Sequence, residues 1–85
     1  MVVDQDAFET FLPSSKVDHK GRRIGYIVGL REMADGVYAW VQNGRSICGV
    51  FSDFGVRQRS RRFDTLEAAR TWAYATAKQR IAKLA

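Results

Sequence analysis

The clearest signal of the fold lies in residues 22–51, RRIGYIVGLREMADGVYAWVQNGRSICGVF. Apolar residues alternate there with polar residues or glycine, and a period of two is typical of β-strands. Asp35-Gly36 and Asn43-Gly44 are hairpin signals, because a tight hairpin turn needs positive φ angles that Gly and Asn tolerate. The stretch therefore predicts a three-stranded antiparallel meander over residues 22–52, with turns at these two dipeptides.

A long helix is predicted to follow the sheet. Asp64 and Glu67 have the spacing of a capping box, and the residues after them are rich in alanine, the best helix former. We expect the helix to span residues 64–84. Its small apolar side chains would form a stripe that packs on the sheet, consisting of Leu66, Ala69, Ala73, Ala77 and Leu84.

A short helix is predicted before the sheet. Asp6 and Glu9 are spaced as a second capping box, and Phe8, Phe11 and Leu12 fall on one helical face. This helix would cover residues 4–12 and end before a proline. The expected fold class is α+β. The whole chain, residues 1–85, forms one domain with an N-terminal helical segment over 1–15, the sheet over 22–52 and the helix over 64–84.

The alternation along the strands assigns each side chain to a sheet face. The almost wholly apolar face, expected against the long helix, holds Ile24, Tyr26, Val28, Leu30, Val37, Ala39, Val41, Cys48 and Val50. The other face mixes aromatic, aliphatic and guanidinium groups: Arg23, Ile27, Arg31, Tyr38, Trp40, Gln42, Arg45, Ile47 and Phe51. We expect Tyr38 and Trp40 to lie over glycines of the neighbouring strand. Three covers for this face remain open: the N-terminal helix, a second copy of the chain, or a ligand.

Composition excludes several classes of protein. No apolar run has the length of a membrane span, and the acidic residues 1–10 do not form a signal peptide. A single cysteine, Cys48, cannot form an internal disulfide, which suits the cytoplasm. His19 and Cys48 together cannot close a zinc site, and no catalytic constellation is present. We therefore expect a protein without enzymatic activity, metal, cofactor or small-molecule substrate.

The charge favours an anionic partner. The chain has 14 Lys and Arg against 9 Asp and Glu, a formal net charge of +5. Ten of the basic residues are Arg, whose planar donors suit phosphate recognition. We expect a small DNA- or RNA-binding module of bacterial or phage type, with DNA favoured. The expected binding residues are Arg23, Arg31, Tyr38, Trp40 and Arg45 on the sheet, and Arg57, Arg59, Arg61 and Arg62 in the connection to the helix. The alternative is a protein–protein interaction module or homodimer that associates through the aromatic face.

One family shares part of this pattern. The segment Phe63-Asp64-Thr65, followed by Glu67-Ala68-Ala69-Arg70, resembles the helix entry of AP2-type DNA-binding domains. Three antiparallel strands before one packed helix are also similar to the arm-binding domains of tyrosine recombinases. In the AP2 family the exposed sheet face lies in the DNA major groove. The resemblance implies that role for Arg23, Arg31, Trp40 and Arg45.

Overall fold

The computed structural model describes residues 7–55 and 59–84. Five strands and one helix follow in chain order: β1 Ala7–Val17, β2 Arg23–Met33, β3 Gly36–Ile47, β4 Val50–Asp53, β5 Arg61–Phe63 and α1 Leu66–Lys83. All strand pairs are antiparallel, in the order β1-β2-β3-β4, and the short β5 pairs with β3 as well. The α+β class with a C-terminal helix is thus confirmed, and the sheet is larger than the predicted meander.

The hairpin of β2 and β3 has the predicted face assignment. Met33 pairs with Gly36, so the turn residues are Ala34 and Asp35, one position earlier than expected. The shift leaves the alternation intact, and Leu30 lies opposite Ala39 on the same face. We call this side of the sheet the helix face; its buried residues are Val28, Leu30, Val37, Ala39 and Val41.

Helix α1 packs on the helix face through its predicted alanines. Ala69, Ala73 and Ala77 are completely buried in one cluster with the sheet residues. Small side chains at this spacing let the helix axis approach the sheet closely. Leu66, placed in the same stripe, is 44% exposed instead. The N-cap is Thr65 rather than Asp64, and the Thr65 hydroxyl accepts a hydrogen bond from the Ala68 amide at 3.1 Å.

The predicted N-terminal helix is wrong for residues 7–12, which belong to β1; residues 4–6 lie outside the described residues. β1 pairs with nearly the whole length of β2, so it satisfies a row of backbone groups that a helix would leave unpaired. Phe11 and Leu12 consequently lie on opposite faces of the sheet. Pro13 is accommodated because β1 is an edge strand within the described sheet.

The second predicted turn is also wrong. β3 continues through Asn43 and Gly44, and the turn to β4 is made by Cys48 and Gly49. Their φ values of 53° and 81° give the two positive angles of a tight hairpin turn. Cys48 is therefore exposed. Its predicted place on the buried face of the sheet is wrong.

The longer β3 changes the face of two residues. Arg45 and Ile47 follow the alternation of Val41 and lie on the side of the helix face, opposite to Trp40. Both were predicted to share the face of Trp40. Val50 and Phe51 fall on their predicted faces, because the two-residue turn preserves the parity of β4.

The side of the sheet away from α1, which we call the glycine face, is built on Gly25, Gly29 and Gly44. A Cβ atom at Gly29 would overlap the indole of Trp40, which lies on this glycine, as predicted. Tyr38 was predicted to lie over a glycine as well, but its partner on β2 is Arg31. A Cβ at Gly44 would lie 2.8 Å from Cγ1 of Ile27. Gly44 is thus required for close packing rather than for a turn.

Phe11 completes the cover of the glycine face. Its ring reaches over Gly25 and stacks on Phe51 from β4, with centroids 5.7 Å apart and planes inclined by 17°. Rings from the two outer strands thus meet above the two central strands. No described helix or strand packs on this face, so the sheet covers it with its own side chains.

The turn position gives a stability prediction. We expect Cys48→Asn to raise the free energy of unfolding by up to about 1 kcal/mol, because Asn tolerates the left-handed conformation better than other non-glycine residues. Asn43→Thr should leave stability nearly unchanged or raise it, since position 43 is an exposed strand position. Urea unfolding measures both. A large loss of stability in Asn43→Thr would show that the turn is at residues 43–44 after all.

Candidate nucleic-acid interface

Three of the predicted binding residues form a row at one end of the glycine face. Arg31 on β2 pairs with Tyr38 on β3, and Tyr38 pairs with Arg62 on β5. Paired residues point to the same side of a sheet, so the register brings these side chains together from three strands. We call this set the distal row.

The distal row is held in place by contacts to the turn between β2 and β3. The Tyr38 hydroxyl donates a hydrogen bond to the Asp35 carboxylate at 2.8 Å. This hydrogen bond, together with burial and the charge of Asp35, raises the pKa of Tyr38, against the opposing effect of Arg62. Arg62 donates from Nε to the Asp35 carbonyl at 2.7 Å and from Nη1 to the Asp64 carboxylate at 3.1 Å. Its side chain is still 47% exposed and can reach a ligand.

Trp40 lies next to this row but offers little surface. Its side chain packs on Gly29, and the residue is only 5% exposed. A base stacks on an accessible ring face, and Trp40 has little of it. The aromatic rings of the glycine face that remain partly exposed are those of Phe11, Tyr38 and Phe51.

Arg23 lies at the opposite end of the glycine face. Cross-strand pairing places Val17, Arg23, Ser46 and Phe51 in one row. Arg23 is exposed and makes no ion pair with any residue in the described part of the chain. This row borders an open depression of about 690 Å³, whose floor includes the rings of Phe11 and Phe51. We call it the proximal depression.

Arg45 is separated from the other sheet residues. Its guanidinium lies over the ring of Phe54, with the carbon atom Cζ 3.8 Å from the ring centroid. Its Nε is 3.5 Å from the Asp18 carboxylate, and its Nη1 donates to the Gly44 carbonyl at 3.0 Å. With only 14% of its side chain exposed, Arg45 is held as a structural group on the side away from Trp40.

Asp18 organises the loop between β1 and β2. Its Oδ1 accepts hydrogen bonds from the amides of Lys20 and Arg22, both at 2.9 Å, and its Oδ2 accepts one from Nε of Arg22 at 2.8 Å. Burial alone would raise the pKa of Asp18. The hydrogen bonds from Arg22 and Lys20, with the charge of Arg22, hold this pKa below its usual range.

The predicted Arg-rich connection is only partly described. Arg57 lies outside the described residues, and Arg59 is exposed. Arg61 pairs with Ala39 and lies near the rings of Phe63 and Trp72, at 5.2 and 5.5 Å from their centroids. Arg61 therefore belongs to the helix side of the sheet, whereas Arg62 belongs to the glycine face.

Residues 7–55 and 59–84 contain no group of three His, Cys, Asp or Glu side chains that could hold a metal ion. His19 is exposed in the β1–β2 turn, and Cys48 lies in the turn at the far end of β3. Within the described residues, no helix is long and apolar enough to cross a membrane.

Comparison with known proteins finds no matching family model, no matching curated sequence and no matching solved structure. The resemblance to AP2-type and arm-binding domains therefore stays a prediction.

Two parts of this surface were missed from the sequence. Phe11 was assigned to a helix, so its stacking on Phe51 could not be anticipated. Residues 8–13 show no period-two alternation of apolar and polar side chains, so no local signal indicates this strand, which is fixed by its pairing with β2. Asp18 had a local signal as well, because an Asp followed at short distance by Gly is typical of a turn closed by the Asp side chain.

The lowered pKa of Asp18 predicts how stability changes with pH. A depressed pKa in the folded state means that the contacts of Asp18 stabilise the fold above the unfolded pKa, and that this contribution is lost as the pH falls through the folded pKa. Asp18→Asn should lower the melting temperature near neutral pH, and the difference from the wild type should shrink on acidification.

Asp53→Asn is the matched control, since Asp53 is exposed and forms no ion pair within the described residues. Its melting temperature should follow the wild type at every pH. Equal losses for the two variants near neutral pH would contradict the role given to Asp18.

Proposed function

We propose that the chain is a small, non-enzymatic nucleic-acid-binding module that uses the glycine face, with DNA as its favoured ligand. The observation that carries this proposal is the distribution of charge on that face. Exposed or half-exposed guanidinium groups stand at both ends, with Arg23 at the proximal depression and Arg62 in the distal row, and no described helix or strand covers the rings between them.

The spacing of these cations suits an extended anion. Arg23 and Arg31 are eight residues apart on β2, which corresponds to about 26 Å of strand. A nucleic-acid strand carries one phosphate per about 3.4 Å of duplex axis, so several phosphates fit between the two ends. The net charge of +5 would add attraction over a longer range.

The residues expected from the sequence take different parts in this proposal. Arg23, Arg31 and Arg62 would contact phosphates from the glycine face. Arg59 and Arg61 would extend the positive surface around the edge formed by β5. Trp40 and Arg45 would support the fold, because both side chains are almost buried. The proposal needs no metal or cofactor, and a cytoplasmic location stays a prediction.

A specific observation favours a second candidate, a protein–protein interface or homodimer. Val50 is 70% exposed and Ile47 is 53% exposed, and the two are cross-strand partners at the tip of the β3–β4 hairpin. Clustered exposed apolar residues mark many interaction surfaces. Sedimentation equilibrium distinguishes this candidate, since a homodimer broken by Val50→Lys would support it without any nucleic acid.

Binding of fluorescein-labelled DNA, measured by anisotropy over a series of salt concentrations, tests the proposal. The affinity should fall linearly on a log–log plot against salt concentration, because phosphate binding releases counterions. Arg23→Gln should weaken binding of all sequences and reduce the slope by about one. Arg59→Gln combined with Arg61→Gln should also weaken binding.

Lys78→Gln is the matched control, because Lys78 is exposed on α1 and the substitution removes the same charge. It should change affinity only slightly. Absence of binding at low salt to either single-stranded or duplex DNA would overturn the proposal. An equal effect of Lys78→Gln and Arg23→Gln would show that net charge, rather than the glycine face, attracts the ligand.

A further inference from the structure

We propose that the stacked pair Phe11–Phe51 is a platform for an unpaired base, and that the ligand class of the glycine face is single-stranded nucleic acid. This inference rests on the proposed function and deepens it. The two rings were not among the residues expected to bind.

The geometry of the pair suits a further planar ring. The phenyl planes are nearly parallel, inclined by 17°, and the ring of Phe11 lies over Gly25 and Gly44, where no Cβ atoms raise it from the backbone. Both residues keep part of their surface exposed. They lie in the proximal depression, an open hollow of about 690 Å³ that leaves the rings accessible from the solvent.

Positive charge lies at one end of this depression. Arg23 lies in the same cross-strand row as Phe51, separated from it by Ser46. Lys20 is exposed in the β1–β2 turn and adjoins Gly21, which lines the depression.

The one carboxylate in the adjoining β1–β2 loop does not offset this charge. Asp18 is already bound by Arg22 and faces Arg45 at 3.5 Å. Residues 18–23 therefore present Lys20 and Arg23 to the solvent at this end of the depression. Glu9 is the acidic residue that lines the depression, at the end away from Arg23. A phosphate backbone would follow the basic side while its base covers the rings.

Stacking on protein rings requires a base whose face is accessible. Bases within a duplex are already stacked on both sides, whereas those of a single strand can turn outward onto aromatic side chains. A duplex could use only the arginines and lysines of the glycine face. The ring pair would then contribute nothing, so the rings predict a preference for single strands.

The affinities of labelled oligothymidylate and of a labelled duplex of the same length are compared by anisotropy at equal salt. A length of about 12 nucleotides is one that a small domain can cover. The single strand should bind more tightly. Phe51→Leu should weaken its binding about fivefold or more, because one stacked base is lost, and should barely affect the duplex.

Phe8→Leu is the matched control. Phe8 is on the same sheet, 46% exposed, but it pairs with Leu30 on the helix face. The substitution is chemically identical and should leave both affinities unchanged. Thermal unfolding of the two variants shows whether each is folded at the temperature of the binding assay.

Proton–nitrogen correlation spectra provide a readout that does not depend on the variants. Addition of oligothymidylate to the wild-type protein should shift the amide signals of Phe11, Gly25, Gly44 and Phe51, and leave those of α1 in place. Shifts confined to α1 would overturn the inference.

The outcomes separate the inference from the function on which it rests. Tighter binding of the duplex, or equal effects of Phe51→Leu and Phe8→Leu, would overturn the stacking platform and leave nucleic-acid binding intact. No binding of either ligand at low salt would overturn the proposed function itself. If the same amide signals shift with protein concentration alone, the rings form a contact between copies of this chain, and the inference is wrong.

Discussion

The absence of three Cβ atoms on one side of the sheet is the constraint on which the rest of the structure depends. At Gly25, Gly29 and Gly44, aromatic or aliphatic side chains lie directly on the backbone. Glycine in a strand interior lowers stability through its conformational freedom, so its use there needs a compensating contact. Here the contact is a ring or an isoleucine that covers the sheet without a second layer of secondary structure.

This arrangement lets a short chain bury both sides of its sheet. The helix face is covered by α1 through Ala69, Ala73 and Ala77, and Ile27 on the glycine face is completely buried without any helix. A domain of 85 residues has little apolar surface to bury. Because the glycine face is covered by its own side chains, the domain needs no second layer of helices or strands there. This arrangement also leaves Phe11 and Phe51 partly exposed, with the exposed Arg23 in the same cross-strand row as Phe51.

Sequence patterns predicted the parts of the fold in which one period dominates. The alternation in β2 and the alanine spacing of α1 each fit one structure only, and both were right. Residues 8–12 have the apolar spacing of a helix, and only the long-range pairing with β2 makes them a strand. Asn43-Gly44 carried a strong local turn signal, but Gly44 is needed where Ile27 packs on it. The candidate site follows the same division. The row of Arg31, Tyr38 and Arg62 depends on the pairing of β5 with β3, which no local pattern revealed. Arg45 lies on the face opposite to the predicted one, because the turn after β3 comes later in the chain than predicted.

The free energy of unfolding of Gly29→Ala in urea tests the role of the missing Cβ atoms. It should fall if the indole of Trp40 lies on Gly29 and rise if it does not. The new methyl group would overlap the indole of Trp40, and we expect the free energy of unfolding to fall by about 1–3 kcal/mol, the usual cost of overfilling a well-packed site. If the indole did not lie on the glycine, alanine in a strand interior would instead raise stability by about 0.5 kcal/mol or more, because it has less conformational freedom to lose. An unchanged or raised stability would contradict the packing described for the glycine face.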